Sequence, residues 1–158
     1  MQLVDLTGTI VASLRGAIPC PHTTGNWIYS DYPRMDATFP RISVTQITGS
    51  LIEIGIGECT EGGKKGKLCT LDYDIDIWVK VEDRAEIPAN SGTWYVGTKL
   101  RDKYSDLIVD SLEDVKASLK TSGVLDIEFV NIGSNPLDEE YMLHRKTVTI
   151  RLTFVWEL

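Results

Sequence analysis

Three aspartates stand at alternate positions, Asp72, Asp74 and Asp76, within the run Leu71-Asp72-Tyr73-Asp74-Ile75-Asp76-Ile77. A calcium loop opens with the same D-x-D-x-D spacing, but it needs a glycine after the third Asp, and Ile77 stands there. On a strand, carboxylates two residues apart are about 7 Å from each other, too far to share an ion without further ligands. The spacing therefore predicts a solvated acidic strand face rather than a metal site. Cys20, His22, Cys59 and Cys69 are suitable zinc ligands, yet no pair has the two-residue spacing of a zinc motif. A disulfide between Cys59 and Cys69, or free buried thiols, are the alternatives. His22 and His144 are the only histidines, and no nucleophile elbow, zinc-protease helix or catalytic carboxylate pair accompanies them. In GECTEGGKKGK, Gly57 and Gly62 have phosphate-loop spacing, but Gly63 occupies the position of the required lysine. That stretch predicts a mobile basic loop tip. No catalytic residue, no metal ligand and no cofactor follows from these residues.

The composition narrows the class further. The chain has 158 residues, with 42% hydrophobic and 25% charged, close to ordinary globular averages. That length suits one domain, which would bury roughly 70% of its unfolded surface. The formal charge of −7 argues against a protein that grips nucleic acid through Lys and Arg, though not against one that lets DNA pass. No apolar run reaches the roughly 18 residues of a membrane span, and Met1 to Ile18 has no signal-peptide layout. Three cysteines are a sparse, odd set. An intracellular soluble domain, made without export, is the expectation.

Hydrophobic periodicity supplies the elements that must position these residues. Leu3, Leu6, Ile10, Leu14 and Ile18 form one helical stripe, and Pro19 and Pro21 end it, predicting a helix over Leu3–Ala17. Cys20 to Pro40 has no period and carries Trp27, Tyr29, Tyr32 and Phe39. A loop of that length is usually functional. Its aromatics either lid the core of the same subunit or, in the case of Trp27, Tyr29 and Tyr32, anchor a neighbouring subunit.

From Arg41 the period becomes two, with a break at Gly49-Ser50 that predicts a bulge or bend. Cys59 to Lys67 is the tip of a long hairpin. On its return strand Cys69, Leu71, Tyr73, Ile75, Ile77, Val79 and Val81 share the buried face, and the three aspartates share the wet one. Ile87 to Gly97 is irregular. Thr98 opens a helix striped by Leu100, Tyr104, Leu107, Ile108, Leu112, Val115 and Leu119, with Gly123 just past its end. Leu125, Ile127 and Phe129 form a third strand, Gly133 to His144 an acidic loop, and Val148 to Leu158 a final alternating strand. The order α-β-β-α-β-β predicts a two-layer α+β domain over residues 1–158. Its antiparallel sheet of four or more strands would be covered on one face by two helices.

Taken whole, the layout resembles the tail-terminator, or tail-completion, family of long-tailed bacterial viruses. The residues that carry the resemblance are Phe39-Pro40-Arg41-Ile42-Ser43-Val44 after a short helix and a proline-rich loop, then Leu71 to Val79 on the long hairpin. Tyr95-Val96-Gly97-Thr98-Lys99-Leu100-Arg101-Asp102 opens the second helix, and the final strand pair follows. The resemblance implies a virion structural protein without enzymatic activity. It implies a ring, usually of six subunits, that caps the tail tube, stops elongation and joins the head-side neck. The implied partners are other copies of the chain, the major tail tube protein and a head-completion or stopper protein, with DNA only as passing cargo and no membrane. The implied location is the virion tail or neck, with assembly in the host cytoplasm. On that reading Asp72, Asp74 and Asp76 border the lumen, where like charge keeps DNA from sticking. The loops Thr60–Lys67 (with Lys64, Lys65 and Lys67) and Gly133–Lys146 (with Asp138, Glu139, Glu140 and Arg145) become partner contacts. Another neck or baseplate component, or a small-molecule-binding α+β domain lidded by the aromatic loop, are the alternatives.

Overall fold

The computed structural model describes residues 3–23, 25–30, 32, 37–52, 66–121 and 123–157. Helix α1 spans Leu3–Ala17 and helix α2 spans Thr98–Thr121. Strands β2 (Arg41–Ile52), β3 (Gly66–Lys80), β6 (Val124–Ser134) and β7 (Leu143–Glu157) supply most of one sheet, and the two-residue β1 (Ile28–Tyr29) adds to its edge. The sheet order is β1-β2-β3-β7-β6, antiparallel throughout except that β1 runs parallel to β2. A separate two-stranded sheet joins β4 (Arg84–Glu86) to β5 (Trp94–Val96), where the sequence shows no period. The fold is α+β.

One layer of apolar side chains holds helices to sheet. Leu6, Ile10, Leu14 and Ile18 of the first stripe are buried, as are Leu100, Tyr104, Ile108, Leu112 and Leu119 of the second. They meet the inward alternate residues of β2, β3 and β7, from Ile42 and Val44 through Tyr73, Ile75 and Ile77 to Val148, Ile150 and Phe154. Burial of this apolar surface is the main term favouring the fold. Gly97 (φ 54°) turns the chain into α2, and its carbonyl takes the N–H of Arg101; Gly123 (φ 95°) ends the helix as a left-handed C-terminal residue. Among the described residues, no helix is long and apolar enough to cross a membrane.

Three departures from the sequence pattern have one cause, the bulge. The break expected at Gly49-Ser50 lies between Gln46 and Thr48, so Ile47 is the unpaired extra residue. A bulge between Val124 and Asp126 turns Leu125 out to half-exposed, and Val124 takes the inward place. Another between Phe129 and Asn131 does the same to Val130. Val81, expected on the buried face, follows the end of β3 and is exposed.

Candidate functional site

The face of the sheet away from the helices is mostly polar along its middle rows, with Trp78 beside them. Register explains what the three aspartates do there, because β7 lies directly opposite β3: Asp72 faces Arg151, Asp74 faces Thr149 and Asp76 faces Thr147. Arg151 grips Asp72 with Nε at 2.8 Å and a second nitrogen at 2.9 Å. Thr149 donates to Asp74 at 2.6 Å, Thr147 donates to Asp76 at 2.6 Å, and Arg145 Nε reaches the same Asp76 oxygen at 2.9 Å. Cross-strand pairs of this kind stabilise a sheet. The hydrogen bond from Arg151 holds the Asp72 carboxyl below the usual carboxylate range, against a smaller opposing effect of burial.

The expectation of a solvated acidic face is corrected at Asp76, which is 0% exposed. Its cover is aromatic and cationic. Trp78 donates to Ser43 at 2.9 Å, the Arg145 guanidinium stands 4.9 Å from the Trp78 ring centre, and Tyr32 meets Trp78 edge-on at 6.5 Å. Burial works to lower the pKa of Arg145, but the bond and charge of Asp76 overcome it and raise it. Asp76 Oδ2 and Thr45 Oγ1 are buried without a hydrogen-bond partner on this face.

The loop aromatics divide. Trp27 is buried with its ring centre 4.8 Å from that of Tyr104, so it belongs to the core and is not available to a neighbouring subunit. Its register explains why: β1 follows at once, and the Trp27 carbonyl accepts from Ile42 N–H, which fixes the side chain under the sheet edge. Tyr29 is half-buried beneath Arg41, whose guanidinium lies 4.0 Å from the ring centre, with Arg15 at 5.8 Å. Tyr32 is 49% exposed.

The two candidate contact loops leave the sheet at opposite ends. Gly66 faces Glu157 at one end of the β3–β7 ladder and Lys80 faces Leu143 at the other. These ends are the two termini of the fifteen-residue β3, roughly 50 Å apart at the rise of an antiparallel strand. Lys64 and Lys65 lie outside the described residues, and Lys67 is a half-buried residue of β3. The acidic loop is shorter than the sequence suggests, because β6 continues through Ser134 and β7 starts at Leu143. Arg145 is therefore a strand residue committed to Asp76, not a loop contact, and Lys146 reaches Asp102 at 3.1 Å. At the tip, Asp138 accepts from the N–H groups of Glu140 and Tyr141, and its backbone pairs with Leu143 in both directions. Asp138, Glu139 and Glu140 are exposed on this tied turn.

Cys69 is a buried free thiol and Cys20 an exposed one, while Cys59 lies outside the described residues. His22 Nε2 is 2.9 Å from the Pro40 carbonyl. Among the described residues, no three His, Cys, Asp or Glu side chains are grouped to hold a metal. A cavity of about 450 Å³ beside His22, Asn26, Tyr29 and Arg41 is lined mainly by polar groups.

Sequence reasoning missed the apolar residues displayed at the bulges, Ile47, Leu125 and Val130, and those on β5 of the small second sheet, Trp94 and Val96. The break of period at Gly49-Ser50 marks the β2 bulge a few residues late, and no local signal marks the two in β6.

No protein-family model and no curated protein matches this chain. Among solved structures, it is similar to a chain of the virion of a native gene transfer agent particle. The two share 10% sequence identity, the match covers 96% of this chain and 95% of that one, and the TM-score is 0.52. At this identity the likeness is one of fold.

Proposed function

We propose that this chain is a virion structural protein of the tail-terminator kind. Six copies form a ring that caps the tail tube, stops its elongation and offers the joining surface to the head-side neck. The observation that carries this reading is the end-to-end fold likeness to a chain of a virion particle, with nothing left over on either side beyond a few residues in a hundred. The partners are other copies of the chain, the major tail tube protein and a head-completion protein, with DNA as passing cargo. The location is the tail or neck of the virion, and the whole chain acts as one domain without chemistry of its own.

Two features of the molecule support the reading. The polar face presents aspartates already joined to Arg145, Arg151, Thr147 and Thr149, together with Ser43 and Thr45. A lumen bordered by Asp72, Asp74 and Asp76 in this state holds few free cations to release counterions from DNA, so DNA slides past it. The second feature is the placement of hairpins at opposite ends of β3 and β7, which suits a ring with one rim on the tube and the other on the neck.

The test is tail length. A virus lacking this gene should build tubes of uncontrolled length and no finished particles, and the wild-type gene supplied in trans should restore both. A variant lacking residues 62–65 should fold and oligomerise yet fail to restore them. Tails of normal length without the gene would contradict the proposal.

A further inference from the structure

Both edges of the main sheet are open. On one side β1 covers only Ile42 and Ser43 of β2, and among the described residues no strand lies beside the backbone edge from Thr45 to Ile52. On the other side β6 is the last strand over its whole length, Val124–Ser134. Long open edges invite pairing with another chain unless charge, proline or bulges guard them. These edges have bulges and, on β6, two acidic residues, yet both still display apolar side chains. Ile47 stands out from the β2 bulge with Leu51 nearby, and Leu125 and Val130 stand out from the β6 bulges with Ile132 nearby. A bulged apolar side chain turned to solvent gains nothing within its own chain.

The edges also differ in charge. Exposed Asp126 and Glu128 of β6, the first partly offset by Lys116 at 3.8 Å, lie across the ladders level with Ser50 and Thr48 of β2, so pairing of the two edges at the same level sets no like charges against each other.

We infer that β6 of one copy docks on the free edge of β2 of the next, head to tail, and that this is the subunit contact of the ring. The inference rests on the ring reading and adds its interface. Strand direction agrees with it. Antiparallel pairing from β2 through β3 and β7 to β6 leaves β2 and β6 running in opposite senses. The next copy's β2 therefore continues the alternation beside β6 without being turned over. Every copy then keeps the same polarity about the ring axis, with all β2–β3 hairpins at one rim and all β6–β7 loops at the other. A contact between unlike surfaces is heterologous and makes a ring when its rotation closes, whereas β6 meeting β6 would stop at a dimer.

Cysteine cross-linking tests this, in full-length protein with Cys20 and Cys59 replaced by serine. I47C and V130C are made singly and together, and treated with a short bismaleimide. The double variant should give a ladder of covalent oligomers on a denaturing gel. Each single variant alone should remain at the monomer band, and an equal mixture of the two should give dimers only. Efficient cross-linking of either single variant would mean a two-fold contact and would overturn the inference. A wild-type assembly of six-fold mass in which the double variant gives no ladder would also overturn it while leaving the ring reading intact. A wild-type chain that stays monomeric at every concentration would remove both. As a second measurement, V130K should convert the wild-type assembly to the 17.6 kDa monomer with an unchanged circular dichroism spectrum. An intact assembly of V130K would count against the contact.

Discussion

Asp76 and Asp72 occupy the same strand face two positions apart on either side of Asp74, yet their surroundings set them different tasks. Asp76 is enclosed, with Arg145 as its cation, and removing that cation leaves a buried carboxylate uncompensated. Arg145→Ala should therefore lower the unfolding free energy by about 3 kcal/mol or more. Arg151→Ala, at a more exposed and solvent-screened pair, should cost far less than that. Urea denaturation of the two variants measures the difference. Asp72 also gives the molecule an acid sensitivity whose sign is fixed. Its carboxyl titrates lower in the folded chain than in the unfolded one, so the folded state holds the proton less tightly. The stabilisation is present above the unfolded value of about 3.9 and is lost as pH falls through the folded value. The stability difference between wild type and Asp72→Asn should be full at pH 7 and shrink once the pH falls below about 3.9 and on through the folded value. A difference that stayed constant over that range would mean the Arg151 pair does not set the titration. Alternation in the sequence puts the three aspartates on one face. It is silent on their partners, because Arg151, Thr149 and Thr147 lie more than seventy residues away and meet them only through the β3–β7 register.

At the scale of elements, both helices and the four long strands are legible because each repeats its apolar stripe over many residues. Leu6, Ile10 and Leu14 in α1 and Tyr104, Ile108 and Leu112 in α2 need only helical periodicity. The pieces that escape are short or interrupted. β1 has two residues and β4 and β5 three each, too few to show any period. The β6 bulge exchanges Val124 for Leu125, and a strict alternation cannot register that. The Cys20–Pro40 segment shows the physical cost of an aperiodic stretch most clearly, since its residue types alone do not separate core aromatics from displayed ones. Trp27→Ala should destabilise the chain by about 3–5 kcal/mol, as expected for an aromatic removed from the core beside Tyr104. Tyr32→Ala should change stability by about 1 kcal/mol, the worth of its edge contact with Trp78. Thermal unfolding of both variants separates core from surface. Equal losses would mean that Tyr32 is as much a part of the fold as Trp27.

Across the whole molecule, the sheet divides an apolar, helix-covered side from a polar side, and its strands carry one hairpin to each end. The net charge of −7 reads differently in that frame. Much of the acidity on the polar face is tied to arginines and threonines, whereas Asp138, Glu139 and Glu140 stand exposed on a turn that Asp138 itself braces. The functional reading was legible in the sequence only as a resemblance of element order, because the features that suit a ring are properties of the assembled sheet. Its open edges, bulged apolar residues and opposed hairpins all depend on which strands become neighbours. The central claim is that copies of this chain assemble into a closed ring, and the mass of the purified protein in solution tests it most directly. Size-exclusion chromatography with multi-angle light scattering should give a single species of about 106 kDa, six times the 17.6 kDa chain, whose mass does not grow with concentration. A monomer of 17.6 kDa across the accessible concentration range, or a two-fold dimer, would contradict the account.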